Sequence, residues 1–168
     1  MSPNTASIIE VLHAQGLALP TQCTPRGNFL PYSKTGKLVF MAGQINEWNG
    51  QVPYCGPVLS EAQATLTENS GLSLIEGRQA AQICALNLLF HLRDACDGEL
   101  GRVRSVIRLG GFVQCLPGFD QSPTVINGAS DLLIDLFGTA GRHARTAVGV
   151  SGLPANAAVE VDAVFEID

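Results

Sequence analysis

Basic residues, aromatic residues and paired cysteines are all scarce in this chain, and each scarcity argues against a class of function. Lys and Arg together number 10 against 15 Asp plus Glu, which gives a formal net charge of −5 at pH 7. Aromatic residues make up only 6% of the chain, and no segment interleaves them with basic residues. A surface that follows a phosphate backbone needs clustered positive charge. We therefore expect no nucleic-acid partner.

Long apolar runs and metal-binding motifs are missing as well. No run approaches the roughly 20 apolar residues of a membrane-spanning helix, and residues 1–16 lack the basic and apolar regions of a secretory signal. The five cysteines are scattered without a C-x-x-C pair, and the three histidines have no metal-ligand spacing. No P-loop or G-x-G-x-x-G motif occurs. We expect a cytoplasmic protein with reduced thiols, no membrane contact, and no metal or other cofactor.

Apolar residues, in contrast, are plentiful. They make up 46% of the 168 residues, whereas charged residues make up only 15%. A chain of this length forms one domain with a substantial core, so we treat residues 1–168 as a single domain. The low charged fraction predicts that one face of the fold is covered by another copy of the chain.

Periodicity and turn residues predict the order of elements. We expect an N-terminal helix over about 3–16, a connector containing prolines, and strands at 29–32 and 37–45. A surface excursion over about 46–76 follows, with a short strand near 51–54. Next come a long helix at 76–96, a strand at 103–115 with a bulge at its Gly-Gly pair, a helix at 122–137 and a C-terminal pair of strands. This order predicts an α+β fold in which a mixed β-sheet carries both long helices on one face.

The C-terminal strands are predicted to form a β-hairpin. Arg145 opens a run of small or β-branched residues at 146–150, residues 151–156 are turn-like, and residues 159–168 alternate between apolar and mostly polar side chains. In the register that this alternation favours, Arg145 lies opposite Asp162 and diagonal to Glu160. Such a pair is either a cross-strand salt bridge or a fixed guanidinium and carboxylate that bind a ligand.

These C-terminal motifs, in their order and spacing, resemble those of the RidA/YjgF family, the reactive intermediate deaminases. The matching segments are Arg145-Thr146-Ala147-Val148, Leu153-Pro154 and Val159-Glu160-Val161-Asp162-Ala163. The N-terminal helix and the segments VINGASDL (125–132) and GRHAR (141–145) resemble a longer branch of the family. The resemblance implies a chorismate-mutase-like fold and homotrimers with ligand pockets in the clefts between subunits. For members that are enzymes, it implies hydrolysis of enamines and imines to 2-keto acids and ammonia.

The resemblance also assigns site residues, position by position. Arg145 matches the arginine that binds the substrate carboxylate, and Glu160 matches the glutamate that positions the attacking water. Gly43 and Gln44 match a Gly-Gln pair that follows a serine in the deaminases. The departures are Ala42 at the serine position, Phe29 at the position of a tyrosine and Ala147 at the position of a cysteine.

Two further polar residues are candidates for the same site. Asn127 lies one turn into the second long helix and either faces the ligand or makes a structural hydrogen bond. His143 precedes Arg145 by two residues and is either a proton shuttle or part of a loop or interface hydrogen bond.

Three functions therefore compete. The first is an imine or enamine deaminase that uses Arg145 and Glu160. The second is a non-catalytic binder of small carboxylate metabolites, which the missing hydroxyl groups at Ala42 and Phe29 favour. The third and weakest is an endoribonuclease, because the chain is acidic and has no basic cluster.

Overall fold

The computed structural model describes residues 5–66 and 71–168. Along these residues the elements are α1 (Thr5–Ala14), β1 (Tyr32–Thr35), β2 (Leu38–Ile45), α2 (Glu61–Leu66), α3 (Leu74–Ala95), β3 (Val103–Gln114), α4 (Ser122–Phe137), β4 (Ala144–Val150) and β5 (Val159–Ile167). The strands form one mixed sheet in the order β1-β2-β5-β3-β4. Both long helices pack on one face of this sheet, α3 against β2 and β5, and α4 against β3 and β4. The predicted fold class is confirmed.

The two long helices, α3 and α4, have the clearest sequence signals for where they begin and end. Helix α3 begins two residues earlier than predicted because Ser73 and Glu76 form a reciprocal capping box. Helix α4 begins at Ser122 with Pro123 in its first turn and ends at Phe137, where Gly138, whose φ is 59°, is the cap residue. The two helices approach closely at Gly128, where a Cβ atom would overlap the carbonyl oxygen of Arg78.

The predicted C-terminal hairpin is wrong. Strand β4 pairs in parallel with β3, and β5 pairs antiparallel with the other edge of β3, so β3 lies between them. Arg145 therefore lies beside Leu109 and not opposite Asp162. The physical reason is that α4 connects β3 to β4 as a crossover helix, which makes neighbouring strands parallel. That long-range pairing outweighs the local turn signal.

Smaller corrections concern the N-terminal half. The first strand begins at Tyr32 instead of residue 29, and it pairs with β2 through the tight turn at Gly36, whose φ is 55°. The strand predicted near 51–54 does not form. An Asn49-Gly50 turn with positive φ at both residues closes a single bridge between Trp48 and Gln51. Residues 3–4 of the predicted first helix and 67–70 of the excursion lie outside the described residues.

The glycine pair of β3 serves close packing and not a bulge. The ladder between β3 and β5 is irregular at Val103–Ser105 and at Val106–Arg108, before the glycines. A Cβ atom at Gly110 would overlap the carboxylate of Asp162, and one at Gly111 would overlap Ile126 of α4. The two glycines therefore allow close contact on both faces of the sheet.

The sheet face opposite the helices is partly apolar and uncovered. It carries Phe40, which is 46% exposed and pairs with Val164, and Val148, which is 42% exposed and pairs with Phe112. We call it the open face. No helix in the described ranges is long and apolar enough to cross a membrane.

Candidate functional site

Four of the eight predicted site residues line one cavity, with a volume of about 170 Å³. They are Phe29, Gly43, Gln44 and Glu160. The connector between α1 and β1 also lines the cavity, and it contributes Cys23 and Arg26 in addition to Phe29. The resemblance therefore located four lining residues, Phe29 of the connector among them, and missed the rest of the connector.

Glu160 lies directly against the backbone of Gly43. A Cβ atom at position 43 would overlap Glu160 Oε1. The ladder between β2 and β5 is irregular between Met41 and Gln44, and this irregularity brings Gly43 next to the carboxylate. A side chain at position 43 would therefore have to displace the carboxylate from its place beside the backbone.

The environment of Glu160 favours its protonated form. Burial raises the pKa of Glu160 above its usual value of 4.5, and the negative charge of Asp162 raises it further. Asp162 accepts a hydrogen bond of 3.0 Å from Arg108, which partly neutralises it. Arg108 is thus the guanidinium that pairs with this strand, in the position that the predicted hairpin gave to Arg145.

Both polar atoms of the Gln44 side chain make hydrogen bonds within the protein. Its Oε1 accepts a hydrogen bond from the Cys23 thiol, at 3.3 Å, and its Nε2 donates to the carbonyl oxygen of Ala42. Burial and the charge of Glu47 raise the pKa of Cys23 to about 11, so the thiol stays protonated and can donate. Gln44 therefore joins the connector to β2 and shapes the cavity wall.

Asn87 of α3 also lines the cavity. Its Nδ2 donates to the carbonyl oxygens of Ile45 and Glu47, at 3.0 and 2.7 Å. Its Oδ1 is buried and accepts no hydrogen bond from the described residues.

Phe29 and Ala42 occupy the two positions at which the deaminases carry hydroxyl groups. Phe29 lines the cavity with its side chain 48% exposed. Ala42 precedes the Gly43–Glu160 contact, and its N–H donates to the carbonyl oxygen of Pro31. The Ala42 N–H therefore cannot replace the serine hydroxyl as a donor.

Arg145 lies elsewhere, held by α4. Its Nη1 donates to Asn127 Oδ1 at 2.8 Å and to Ser130 Oγ at 3.0 Å, and its Nη2 donates to the Pro123 carbonyl oxygen at 3.3 Å. Asn127 and Ser130 are one helical turn apart, so both project from the same side of α4. Asn127 thus makes the structural hydrogen bond that was one of its two predicted roles.

His143 extends this network. Its Nε2 lies 3.0 Å from Ser130 Oγ, and its Nδ1 lies 2.6 Å from the Gly141 carbonyl oxygen. Because a carbonyl only accepts, Nδ1 carries a proton, and the Ser130 hydroxyl, which accepts from Arg145, donates to Nε2. Burial and the Arg145 charge lower the pKa of His143, and the Gly141 bond opposes them. His143 is therefore neutral and helps to orient Ser130.

Arg145 and Glu160 occupy opposite faces of the sheet within one protomer. Arg145 pairs with Leu109, which is fully buried beneath the helices. Glu160 alternates with the buried Val159 and Val161 and so projects from the open face. One copy of the chain therefore cannot bring both side chains to the same small ligand.

Several site residues were missed from the sequence. Arg26, Glu47 and Asn87 carry no motif, and the contacts that place them span tens of residues. Ser130 could have been found, because it lies three residues after Asn127 on a helix. Among the described residues no three His, Cys, Asp or Glu side chains converge as a metal site would require.

Comparison with known proteins shows the family to which this chain belongs. Residues 10–167 match the family model described as "YjgF/chorismate_mutase-like, putative endoribonuclease". The chain is 38% identical over 160 residues to Protein TCP17 of Trypanosoma cruzi, a match that covers 94% of this chain and 92% of TCP17.

Two solved structures are similar along nearly the whole chain. The protein Atu1372 of Agrobacterium tumefaciens, described as of unknown function, is 36% identical with a TM-score of 0.84, covering 97% of this chain and 94% of that protein. A protein of Shewanella oneidensis MR-1, described as a "putative endoribonuclease", is 31% identical with a TM-score of 0.83, covering 95% and 99% respectively.

Proposed function

This chain belongs to the YjgF/chorismate-mutase-like (RidA/YjgF) family, and on that premise we propose that it hydrolyses 2-imino acids to 2-keto acids and ammonia. The observation that carries the proposal is the half-buried Glu160 carboxylate, which lies against Gly43 at a cavity and has a raised pKa. A carboxyl group with a pKa closer to neutrality both accepts and returns protons efficiently.

The proposed reaction needs only water and one proton-transferring group. A water molecule attacks the carbon of the protonated imine while Glu160 takes one of its protons, which gives a neutral carbinolamine. The protonated Glu160 then gives that proton to the nitrogen, and as the carbon–nitrogen bond breaks it takes up the hydroxyl proton, releasing ammonia and the 2-keto acid. An enamine enters the same path after tautomerising to the imine.

The carboxylate of the substrate requires a guanidinium. Arg145 is held by Asn127 and Ser130 on the face opposite Glu160, so we propose that the site combines Glu160 of one copy with Arg145 of the next. A homotrimer that covers the open face, including Phe40 and Val148, would bring them together. We place this protein in the cytoplasm, because all five cysteines are free thiols.

Replacing Arg145 with Ala is expected to lower kcat/KM for imine hydrolysis about 10- to 100-fold, because a charge-assisted hydrogen bond contributes about 1.5–3 kcal/mol. Arg145→Lys is expected to restore little, since a single ammonium cannot form two parallel hydrogen bonds. The assay generates short-lived 2-imino acids with an amino-acid oxidase and lets semicarbazide compete for them. Arg78→Ala, which removes an ion pair with Asp131 on the helix face, is the matched control. Equal loss in both variants would contradict the assignment of Arg145.

The activity is also expected to fall at acid pH as Glu160 becomes protonated. The general base must be ionised, so activity is lost as pH falls through the raised pKa of Glu160, above its usual 4.5. Asp162→Asn removes the negative charge that raises this pKa and leaves Arg108 unpaired nearby. The acid limb of the pH–kcat profile is therefore expected to move to lower pH in Asp162→Asn. A shift to higher pH would contradict the assignment of Glu160 as the base.

A second candidate is a non-catalytic binder of small carboxylates. Ala42 and Phe29 favour it, because neither side chain carries the hydroxyl group that the deaminases have at these positions. If wild type and Arg145→Ala both match the uncatalysed rate for several imines, this second function replaces the first. Binding of 2-keto acids, measured by calorimetry, then gives its direct test.

A further inference from the structure

Arg26 brings a second guanidinium to the Glu160 cavity. It lies in the connector between α1 and β1, outside the sequence motifs that carry the resemblance, and it lines the cavity together with Glu47, Gly43 and Glu160. Its side chain is 45% exposed, whereas the side chain of Glu47 is 15% exposed.

The hydrogen bonds of Arg26 leave one edge of the guanidinium available. Its Nε donates to Glu47 Oε2 at 2.6 Å, and neither terminal nitrogen donates to another described residue. A guanidinium has five N–H donors in a planar fork and can bind two carboxylates at different edges. Glu47 thus holds the arm of Arg26, while the Nη1–Nη2 edge is free for an anion.

The connector that carries Arg26 is fixed by several hydrogen bonds. The backbone N–H groups of Thr21 and Gln22 both donate to Asn49 Oδ1, at 2.8 and 3.3 Å. The Cys23 thiol donates to Gln44 Oε1. These bonds tie the connector to β2 and the turn after it, so Arg26 is held at a defined distance from Glu160 before any ligand arrives.

We propose that Arg26 binds a second substrate carboxylate, so that the preferred substrates are 2-imino dicarboxylic acids. This proposal rests on the proposed function, in which Arg145 of a neighbouring copy binds the carboxylate next to the imine carbon. The far carboxylate of the same molecule then lies in the Glu160 cavity and accepts hydrogen bonds from the terminal nitrogens of Arg26.

Glu47 gives the proposal a distinctive electrostatic signature. Its charge orients Arg26, but it also repels an incoming carboxylate. Glu47→Gln keeps an acceptor for Arg26 Nε and removes that repulsion, so it is expected to improve dicarboxylate binding. If the Arg26–Glu47 pair only fixes the connector, the same substitution affects monocarboxylates and dicarboxylates alike.

The test compares imines generated in situ from alanine and from glutamate, using wild type, Arg26→Gln and Glu47→Gln. Wild type is expected to have a kcat/KM at least about 10-fold higher for the glutamate-derived imine. Arg26→Gln is expected to lose about 10- to 100-fold on that imine, mainly through KM, and to lose at least about 5-fold less on the alanine-derived imine, which has no second carboxylate. Glu47→Gln is expected to lower KM for the glutamate-derived imine alone. Equal effects of Arg26→Gln on both imines would overturn the proposal.

A binding measurement keeps the two proposals separable. Dissociation constants of 2-oxoglutarate and 2-oxobutyrate are measured by calorimetry on the same three proteins. If wild type hydrolyses neither imine, the proposed function fails, but weaker binding of 2-oxoglutarate alone in Arg26→Gln still supports the second carboxylate site. If wild type hydrolyses both imines and 2-oxoglutarate binds no more tightly than 2-oxobutyrate, the proposed function stands and Arg26 is only a structural pin.

Discussion

Replacing Glu160 with Gln is expected to lower kcat for imine hydrolysis about 10²- to 10⁴-fold. Gln has nearly the same size, so the contact with Gly43 is kept, but its amide cannot take a proton from the attacking water. Substrate binding is expected to change little, because other residues bind the carboxylate of the substrate. The measurement is steady-state hydrolysis of oxidase-generated imines over a range of substrate concentrations.

The matched control is Glu166→Gln, on the same strand and the same face. Glu166 pairs with Leu38 and does not line the cavity. It should retain the kcat of wild type within about 2-fold, as distant surface substitutions usually do. Equal activity of Glu160→Gln and Glu166→Gln would show that Glu160 is not the proton-transferring group.

Replacing Gly128 with Ala is expected to destabilise the fold by about 1–3 kcal/mol or more. A Cβ atom at Gly128 would overlap the Arg78 carbonyl oxygen, which belongs to helix backbone and cannot rotate away. The two helices would have to separate. Helix propensity alone predicts the opposite sign, a gain of up to about 1 kcal/mol for Gly→Ala inside a helix. The sign of the change therefore decides between close packing and propensity.

Urea unfolding followed by circular dichroism measures this effect. The control is Gly152→Ala, since a Cβ atom there would have no neighbour within 4 Å. It is expected to shift the midpoint only slightly. A higher midpoint for Gly128→Ala than for wild type would mean that α3 and α4 do not pack as closely as described.

The sequence predicted the two long helices and the long strands because their signals are local, but it missed α2 within the predicted excursion. The apolar spacing, capping residues and stop glycine of α3 and α4 lie within each helix. The alternation of β5 correctly places Val161 and Ala163 in the core. Local signals could not decide which strand lies beside β4, because that pairing depends on the crossover of α4.

The same limit governs the candidate site. Motif resemblance assigned Glu160 and Gly43 to the same site, and the structure brings them into contact. It also identified Arg145, but the predicted hairpin placed Arg145 on the same face of the sheet as Glu160. That placement assumed that β4 pairs directly with β5, whereas both strands pair with β3. Arg26 was missed because its position depends on hydrogen bonds between the connector and residues about twenty positions later.

The central claim is that Arg145 and Glu160 act together across two copies of the chain. Its most direct test is to co-express Arg145→Ala and Glu160→Gln with different affinity tags, isolate the mixed assemblies and measure imine hydrolysis. In a mixed cyclic trimer of the two inactive variants, one of the three interfaces keeps both groups intact, so about a third of wild-type activity is expected. Mixed assemblies as inactive as either variant, beside an active wild type, would contradict a site shared between copies.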